Sequence, residues 1–223
     1  MTQLEPVIHI VDDDKSYRTA LARLMEASGY RVVTYGSGEE LLAHLTGSDP
    51  GCVLLDLQMP GLSGLELQHR LTEKAPLLPI VFLSGRGDIK ASVRAMKAGA
   101  EDFLEKPASR EALLEAVERA LLRSVIRRAE HDRVQALQAR LQALTPREFD
   151  VFGLIVRGKL NKQIAYDLGT SERTVKAHRH NVMEKLGVHS LAEAVSIAER
   201  LGLLDPTAKP PENAHGAVSG ASP

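Results

Sequence analysis

Tryptophan is absent from this chain, cysteine occurs once, and aromatic residues make up only 4% of its 223 residues. The single thiol, Cys52, excludes an internal disulfide and any cysteine-rich metal site, and it suits a reducing cytosol. So few aromatics mean that any core must be built from Leu, Val, Ile and Ala. No apolar run approaches the ~18 residues of a membrane span, and the amino terminus lacks a cationic patch followed by an apolar stretch. The sequence therefore predicts a cytoplasmic protein with no membrane partner. An excess of either charge is missing too, with 28 Lys and Arg against 29 Asp and Glu. That balance is uneven along the chain. Residues 1–124 hold 14 basic and 18 acidic side chains, and 125–205 hold 13 and 10. The length suits two ordinary domains, and their opposite charge suggests different partners, although two plain solvated surfaces would give the same counts.

The first 124 residues alternate short β-branched runs with helical patterns. Val7–Val11, Arg31–Tyr35, Cys52–Leu55, Ile80–Leu83 and Asp102–Leu104 read as strands, each too short for a helix. Between them lie amphipathic stretches such as Tyr17, Ala20, Leu21, Leu24 and Ser28, and later Leu113, Leu114, Val117 and Leu121. Five βα repeats with apolar strands predict the α/β class, a doubly wound parallel sheet covered by helices on both faces.

From about residue 125 the strand signals stop. Val134, Leu137, Leu141 and Leu144 place an apolar seam on a helical linker over 125–144, which fits either a short dimerising coiled coil or a stripe packed on its own domain. Residues 145–205 read as an all-α domain of four short helices. Thr145-Pro146-Arg147-Glu148 and Ser190-Leu191-Ala192-Glu193 are capping boxes, Asn161 and Ser171 are candidate caps, and Gly187 is a stop. The tail, 206–223, carries Pro206, Pro210 and Pro211 and few hydrophobes, so it is expected to be disordered.

In a parallel α/β sheet the functional crevice lies beyond the carboxyl ends of the strands. Here strand one runs into Asp12, Asp13 and Asp14, strand three into Asp56, strand four into Ser84, and strand five into Lys106-Pro107. Clustered carboxylates repel unless a cation neutralises them, and hard oxygen ligands suit Mg²⁺. A site with Mg²⁺, a lysine, a hydroxyl and a carboxylate nucleophile is equipped for phosphoryl transfer. Solubility and helix capping account for any one of these acids; they do not account for placement on several strand ends together.

HIVDDDKS, VLLDLQMPGLSG, VFLSGRGD and AGAEDFLEKP resemble the receiver domain of bacterial response regulators across roughly residues 5–124. The resemblance implies that Asp56 accepts a phosphoryl group from a sensor histidine kinase. Asp12, Asp13, Asp56 and the backbone carbonyl of Gln58 would hold Mg²⁺. Ser84 and Lys106 would contact the phosphoryl oxygens, Phe103 would be an aromatic switch, and Asp14 would cap the first helix. It also implies a cis bond before Pro107. Ser84 stands where Thr is more frequent, and Ala108 where Phe is common.

Ser171–Leu186 can enter a major groove: Thr174, Lys176, Arg179 and His180 are polar, while Val175, Val182, Met183 and Leu186 can face a core. Charge alone favours a solvated helix, because 145–205 holds nine basic and eight acidic residues. The string LTPREFDVFGLIVRGKLNKQIAYDLGTSERTVKAHRHNVMEKLGVHSLAEAV is more specific and resembles the LuxR-type helix-turn-helix. The whole chain thus resembles a FixJ/NarL-type transcriptional regulator. That implies Lys176, Ala177 and His180 at base edges and Arg173, Thr174 and Arg179 at phosphates. It implies promoter DNA and RNA polymerase as partners, and a homodimer formed on phosphorylation through the face around Val93, Lys97, Phe103 and Lys106. His178, His180 and His189 lack the spacing and the cysteines of a metal site. The competing classes are a free-standing phosphotransferase, for which no P-loop or kinase set is present, and a receiver-controlled protein-interaction module that does not bind DNA.

Overall fold

The computed structural model describes residues 5–47, 49–85 and 89–204; the expected disordered tail lies outside them. The chain divides into two compact units, Met1–Ala129 and Glu130–Pro223.

In the first unit five strands, β1 (Val7–Val11), β2 (Arg31–Tyr35), β3 (Gly51–Asp56), β4 (Ile80–Ser84) and β5 (Asp102–Glu105), form a parallel sheet in the order β2-β1-β3-β4-β5. Four helices separate them: α1 (Lys15–Ala27), α2 (Gly38–His44), α3 (Gly64–Lys74) and α4 (Ile89–Lys97). β3 and β4 are buried along their whole length, as a sheet covered on both faces requires. Alternate residues feed two cores: Val53, Leu55 and Phe82 meet Leu67 and Leu71 on one face, while Leu54, Val81 and Leu83 meet Leu21, Met25, Leu113 and Val117 on the other. β3 can start beside β1 only with glycine, because a Cβ on Gly51 (φ 141°) would sit 1.8 Å from the Val7 carbonyl oxygen. Cys52 is buried in the second core, and burial pushes its thiol up to about 12.

The stripe of α1 differs from the sequence reading: Ala20 is exposed, and Leu21, Ala22 and Met25 face the core. A larger difference concerns the linker. Residues 125–142 are not a separate element but the second half of α5 (Arg110–Gln142). No glycine or proline interrupts 110–142, so nothing in the chain stops the helix at 124.

In the second unit α6 (Pro146–Val156), α7 (Asn161–Asp167), α8 (Glu172–Leu186) and α9 (Leu191–Arg200) follow. Leu141 and Leu144 are buried with Phe152, Val182, Leu186, Ala194 and Ala198, so the seam near 141 packs on its own unit. Ser171 caps α8 by accepting from the Thr174 N–H. Asn161 does not cap α7. Leu160 occupies that position, its N–H donates to Gln163 Oε1 at 2.8 Å, and Asn161 Oδ1 instead accepts from Arg179 at 3.4 Å.

Candidate phosphoryl site and DNA-facing helix

The strand order reverses direction at β1, between β2 and β3, and such a switch point opens a crevice at the carboxyl ends. The four expected strand-end groups converge there. Asp12 follows β1, Asp56 ends β3, Ser84 ends β4, and Lys106 follows β5. The Lys106 ammonium lies 2.5 Å from Asp12 Oδ2 and 2.9 Å from Asp56 Oδ2. Its backbone N–H donates to the Ser84 carbonyl at 2.7 Å, which fixes β5 against β4 at this point. The Lys106–Pro107 peptide is cis, as expected.

Asp12, Asp56 and Ser84 are buried and Asp13 is exposed. Carboxylate oxygens of Asp12, Asp13 and Asp56 all lie within 4.8 Å of one another. Burial raises the pKa of Asp12, and the bond from Lys106 offsets this only in part. Burial alone would lower the pKa of Lys106, but hydrogen bonds to Asp12 and Asp56 outweigh it and the pKa is raised, so the side chain stays an ammonium. The Gln58 N–H donates to Asp56 Oδ1 at 3.2 Å. The three-carboxylate, all-oxygen donor set with one exposed member fits a hard, partly hydrated cation such as Mg²⁺.

The Asp14 N–H donates to Asp12 Oδ1 at 2.9 Å, while its own carboxylate caps α1, accepting from the Ser16 and Tyr17 N–H groups at 2.8 and 3.2 Å. Phe103 is half-buried, its ring centroid 6.3 Å from that of Phe82. Three neighbours escaped the sequence reading. The Tyr17 ring covers the Lys106 ammonium at 4.4 Å, a cation–π contact between residues far apart in the chain. Arg18 donates to the Asp12 carbonyl. Gly64, the last residue of the MPGLSG string, lies so close to β3 that a Cβ would be 2.4 Å from the Asp56 carbonyl oxygen. Only Gly64 had a signal, a glycine at the start of a helix just after the acidic strand end.

On α8, Val175, Val182 and Leu186 are buried; Arg173, Thr174, Lys176, Ala177 and His180 are exposed and Arg179 is half-buried. The Thr174 hydroxyl is engaged with Ser171 Oγ at 2.8 Å. Lys176, Arg179, His180 and His189 line an open depression of about 640 Å³. The histidines gather no metal-ligand cluster among the described residues.

Glu148 anchors this unit. It accepts from the Lys185 ammonium at 2.6 Å and from the Thr145 N–H at 2.8 Å. Burial pushes its carboxyl up, but these partners outweigh burial and hold it down at about 2, against an ordinary 4.5. A depressed carboxyl contributes stability above its unfolded value and loses it as pH falls from about 4.5 toward 2. Glu148→Gln is expected to cost about 2 kcal/mol at neutral pH and much less near pH 2, measured by denaturant unfolding.

A doubly wound sheet with a lysine clamped between two strand-end aspartates, followed by a four-helix unit exposing a basic helix, defines a receiver joined to a helix-turn-helix. Comparison with known proteins agrees. Residues 8–118 match the response regulator receiver domain and 142–198 the bacterial regulatory proteins of the luxR family. The response regulator protein TodT of Pseudomonas putida is 42% identical over 201 residues, which is 90% of this chain and 88% of that protein. The transcriptional regulatory protein FixJ of Rhizobium meliloti is 41% identical over 191 residues, 86% and 94% of the two chains. The solved structure of the response regulator StyR is 45% identical, covers 88% of this chain and all of that one, and superposes with a TM-score of 0.75. Full-length FixJ from B. japonicum gives 36% identity, 91% and 100% coverage and a TM-score of 0.55. The chain belongs to the response regulators that join a receiver domain to a LuxR-type DNA-binding domain. Its output is DNA binding in transcription regulation.

Proposed function

We propose that Asp56 is the phosphoacceptor of this regulator, loaded by a sensor histidine kinase, and that residues 1–124 act as receiver, 125–144 as connection and 145–205 as DNA reader. The observation that carries the proposal is the Lys106 ammonium held between Asp12 and Asp56 at the carboxyl end of the sheet. A carboxylate oxygen of Asp56 attacks the phosphorus, the bond to the donor's nitrogen or oxygen breaks, and the electron pair leaves with the donor. Lys106 and the Ser84 hydroxyl take the phosphoryl oxygens, and Phe103 follows Ser84 as the switch. Asp12, Asp13, Asp56 and the Gln58 carbonyl would hold Mg²⁺, whose charge offsets that of the phosphoryl oxygens. The acyl phosphate then hydrolyses slowly, and no other substrate is turned over.

Phosphorylation pairs two receivers through the face around Val93, Lys97 and Phe103, so that two readers meet two half-sites in promoter DNA and engage RNA polymerase. Activation is the expected sign of regulation. Among the described residues no helix is long and apolar enough to cross a membrane, which fits work in the cytoplasm.

A phosphate-affinity gel after incubation with Mg²⁺ and acetyl phosphate tests the acceptor. The wild type is expected to shift, while chelation of Mg²⁺ or Asp56→Asn abolishes the shift. A shift that persists in Asp56→Asn overturns the assignment.

A further inference from the structure

Tyr17 lies one and two helical repeats before the buried Leu21 and Met25, so it continues the core stripe of α1 toward the amino-terminal end of that helix. Side chains on a helix lean toward its amino terminus, and here that directs the ring to the rim where the strands end. The ring is half-buried and packs against the core on the α1 side of the sheet. The Tyr17 N–H donates to Asp14 Oδ1 at 3.2 Å, so the cap of α1 fixes the turn that carries it. Among the described residues the Tyr17 hydroxyl makes no hydrogen bond. What the residue offers the site is its ring, whose centroid is 4.4 Å from the Lys106 ammonium.

Asp12 Oδ2 at 2.5 Å and Asp56 Oδ2 at 2.9 Å hold the ammonium, the ring covers it from a further side, and the Lys106 side chain is only 15% exposed. A cation this far out of water is where a ring face holds most strongly. We propose, on the reading of Asp56 as phosphoacceptor, that Tyr17 is a positioning residue for the transfer: its ring keeps the Lys106 ammonium at the strand ends, in the place from which it takes the phosphoryl oxygens. The attraction of a ring for a cation is not directed at one N–H, so the ammonium can turn from Asp12 toward an incoming phosphoryl group without losing this hold. A carboxylate at position 17 would also hold the lysine, but it would add negative charge beside Asp12, Asp13 and Asp56 at a site that must admit an anionic phosphodonor. The ring adds none. With an aliphatic side chain in its place, water competes for the ammonium and the flexible lysine stem samples other positions.

The initial rate at which the full chain is labelled by acetyl phosphate and Mg²⁺, followed on a phosphate-affinity gel, reads this role. Tyr17→Leu is expected to slow labelling about tenfold, and Tyr17→Phe, which keeps the ring, to stay within about twofold of the wild type. A packing role alone would slow labelling whether or not residue 106 carries a charge, so the Leu substitution is repeated in Lys106→Met. Against the slower rate of that variant, measured over a longer incubation, it is expected to change labelling by less than about twofold. Circular dichroism checks that each variant keeps its fold. A Tyr17→Leu protein labelled at the wild-type rate, a Tyr17→Phe protein as slow as Tyr17→Leu, or an undiminished loss in Lys106→Met overturns the role of Tyr17 and leaves the acceptor standing. A wild type that takes no label, or takes it equally as Asp56→Asn, overturns the acceptor reading and the role of Tyr17 with it.

Discussion

Gly64→Ala is expected to lower receiver stability by about 3 kcal/mol and to slow phosphorylation at least tenfold. Glycine here is a matter of space. The added methyl would lie 2.4 Å from the Asp56 carbonyl oxygen and 2.9 Å from the Leu57 Cα, both backbone atoms that no side-chain rotation can clear. Either α3 must back away, breaking the Gly64 N–H bond to the Leu57 carbonyl at 3.1 Å, or the end of β3 must move. A shift of the β3 end carries the Asp56 carboxylate away from Lys106, where a displacement of an ångström costs orders of magnitude in rate. Gly36→Ala is the control, because its Cβ would meet only the tips of Glu40 and Arg18 at 3.7 and 3.8 Å. Thermal unfolding is expected to show a fall of roughly 10 °C for Gly64→Ala and almost none for Gly36→Ala.

Lys176→Ala is expected to weaken binding to the preferred DNA site by about 10- to 100-fold and to blur the preference among sequences. The side chain stands exposed on α8, outside the buried stripe of Val175, Val182 and Leu186. Arg173→Ala should behave differently. Removing a cation that faces a phosphate weakens binding to all sequences alike and lowers the salt slope by about one. Arg179 is tied to Asn161, so its replacement also loosens α8 from α7. Mobility-shift titrations at several salt concentrations separate these outcomes. Unchanged affinity of Lys176→Ala for the preferred site would move the reading face elsewhere on the helix.

What the sequence made legible, and what it hid, follows from the range of the interactions. The strands were readable because short β-branched runs have few other uses, yet three of the five extend one residue or more beyond the apolar run. Asp56, Ser84 and Glu105 are polar and still lie in the ladder, Ser84 opposite Glu105, since backbone pairing and not side-chain polarity decides where a strand ends. Asp12, Asp56, Ser84 and Lys106 could be expected together because a parallel sheet gathers its carboxyl ends. The cover of Lys106 by Tyr17 could not, because no periodicity links the first turn of α1 to the residue after β5. The continuity of α5 was written as an absence, a long stretch without glycine or proline, which is easily outweighed by a change in composition. Asn161 misled because its residue type suits a cap, whereas the carboxamide of Gln163 reached the Leu160 N–H instead.

Under the proposed function, charge added at Asp56 controls the affinity of α8 for DNA. Fluorescence anisotropy of a labelled promoter fragment, titrated with the full chain plus Mg²⁺ in the presence and absence of beryllofluoride, measures this directly. With α8 under the control of Asp56, beryllofluoride is expected to tighten binding of the wild type at least tenfold and to leave Asp56→Asn unchanged. Equal tightening in both proteins, or none in a wild type whose Asp56 is shown to be occupied, would contradict it.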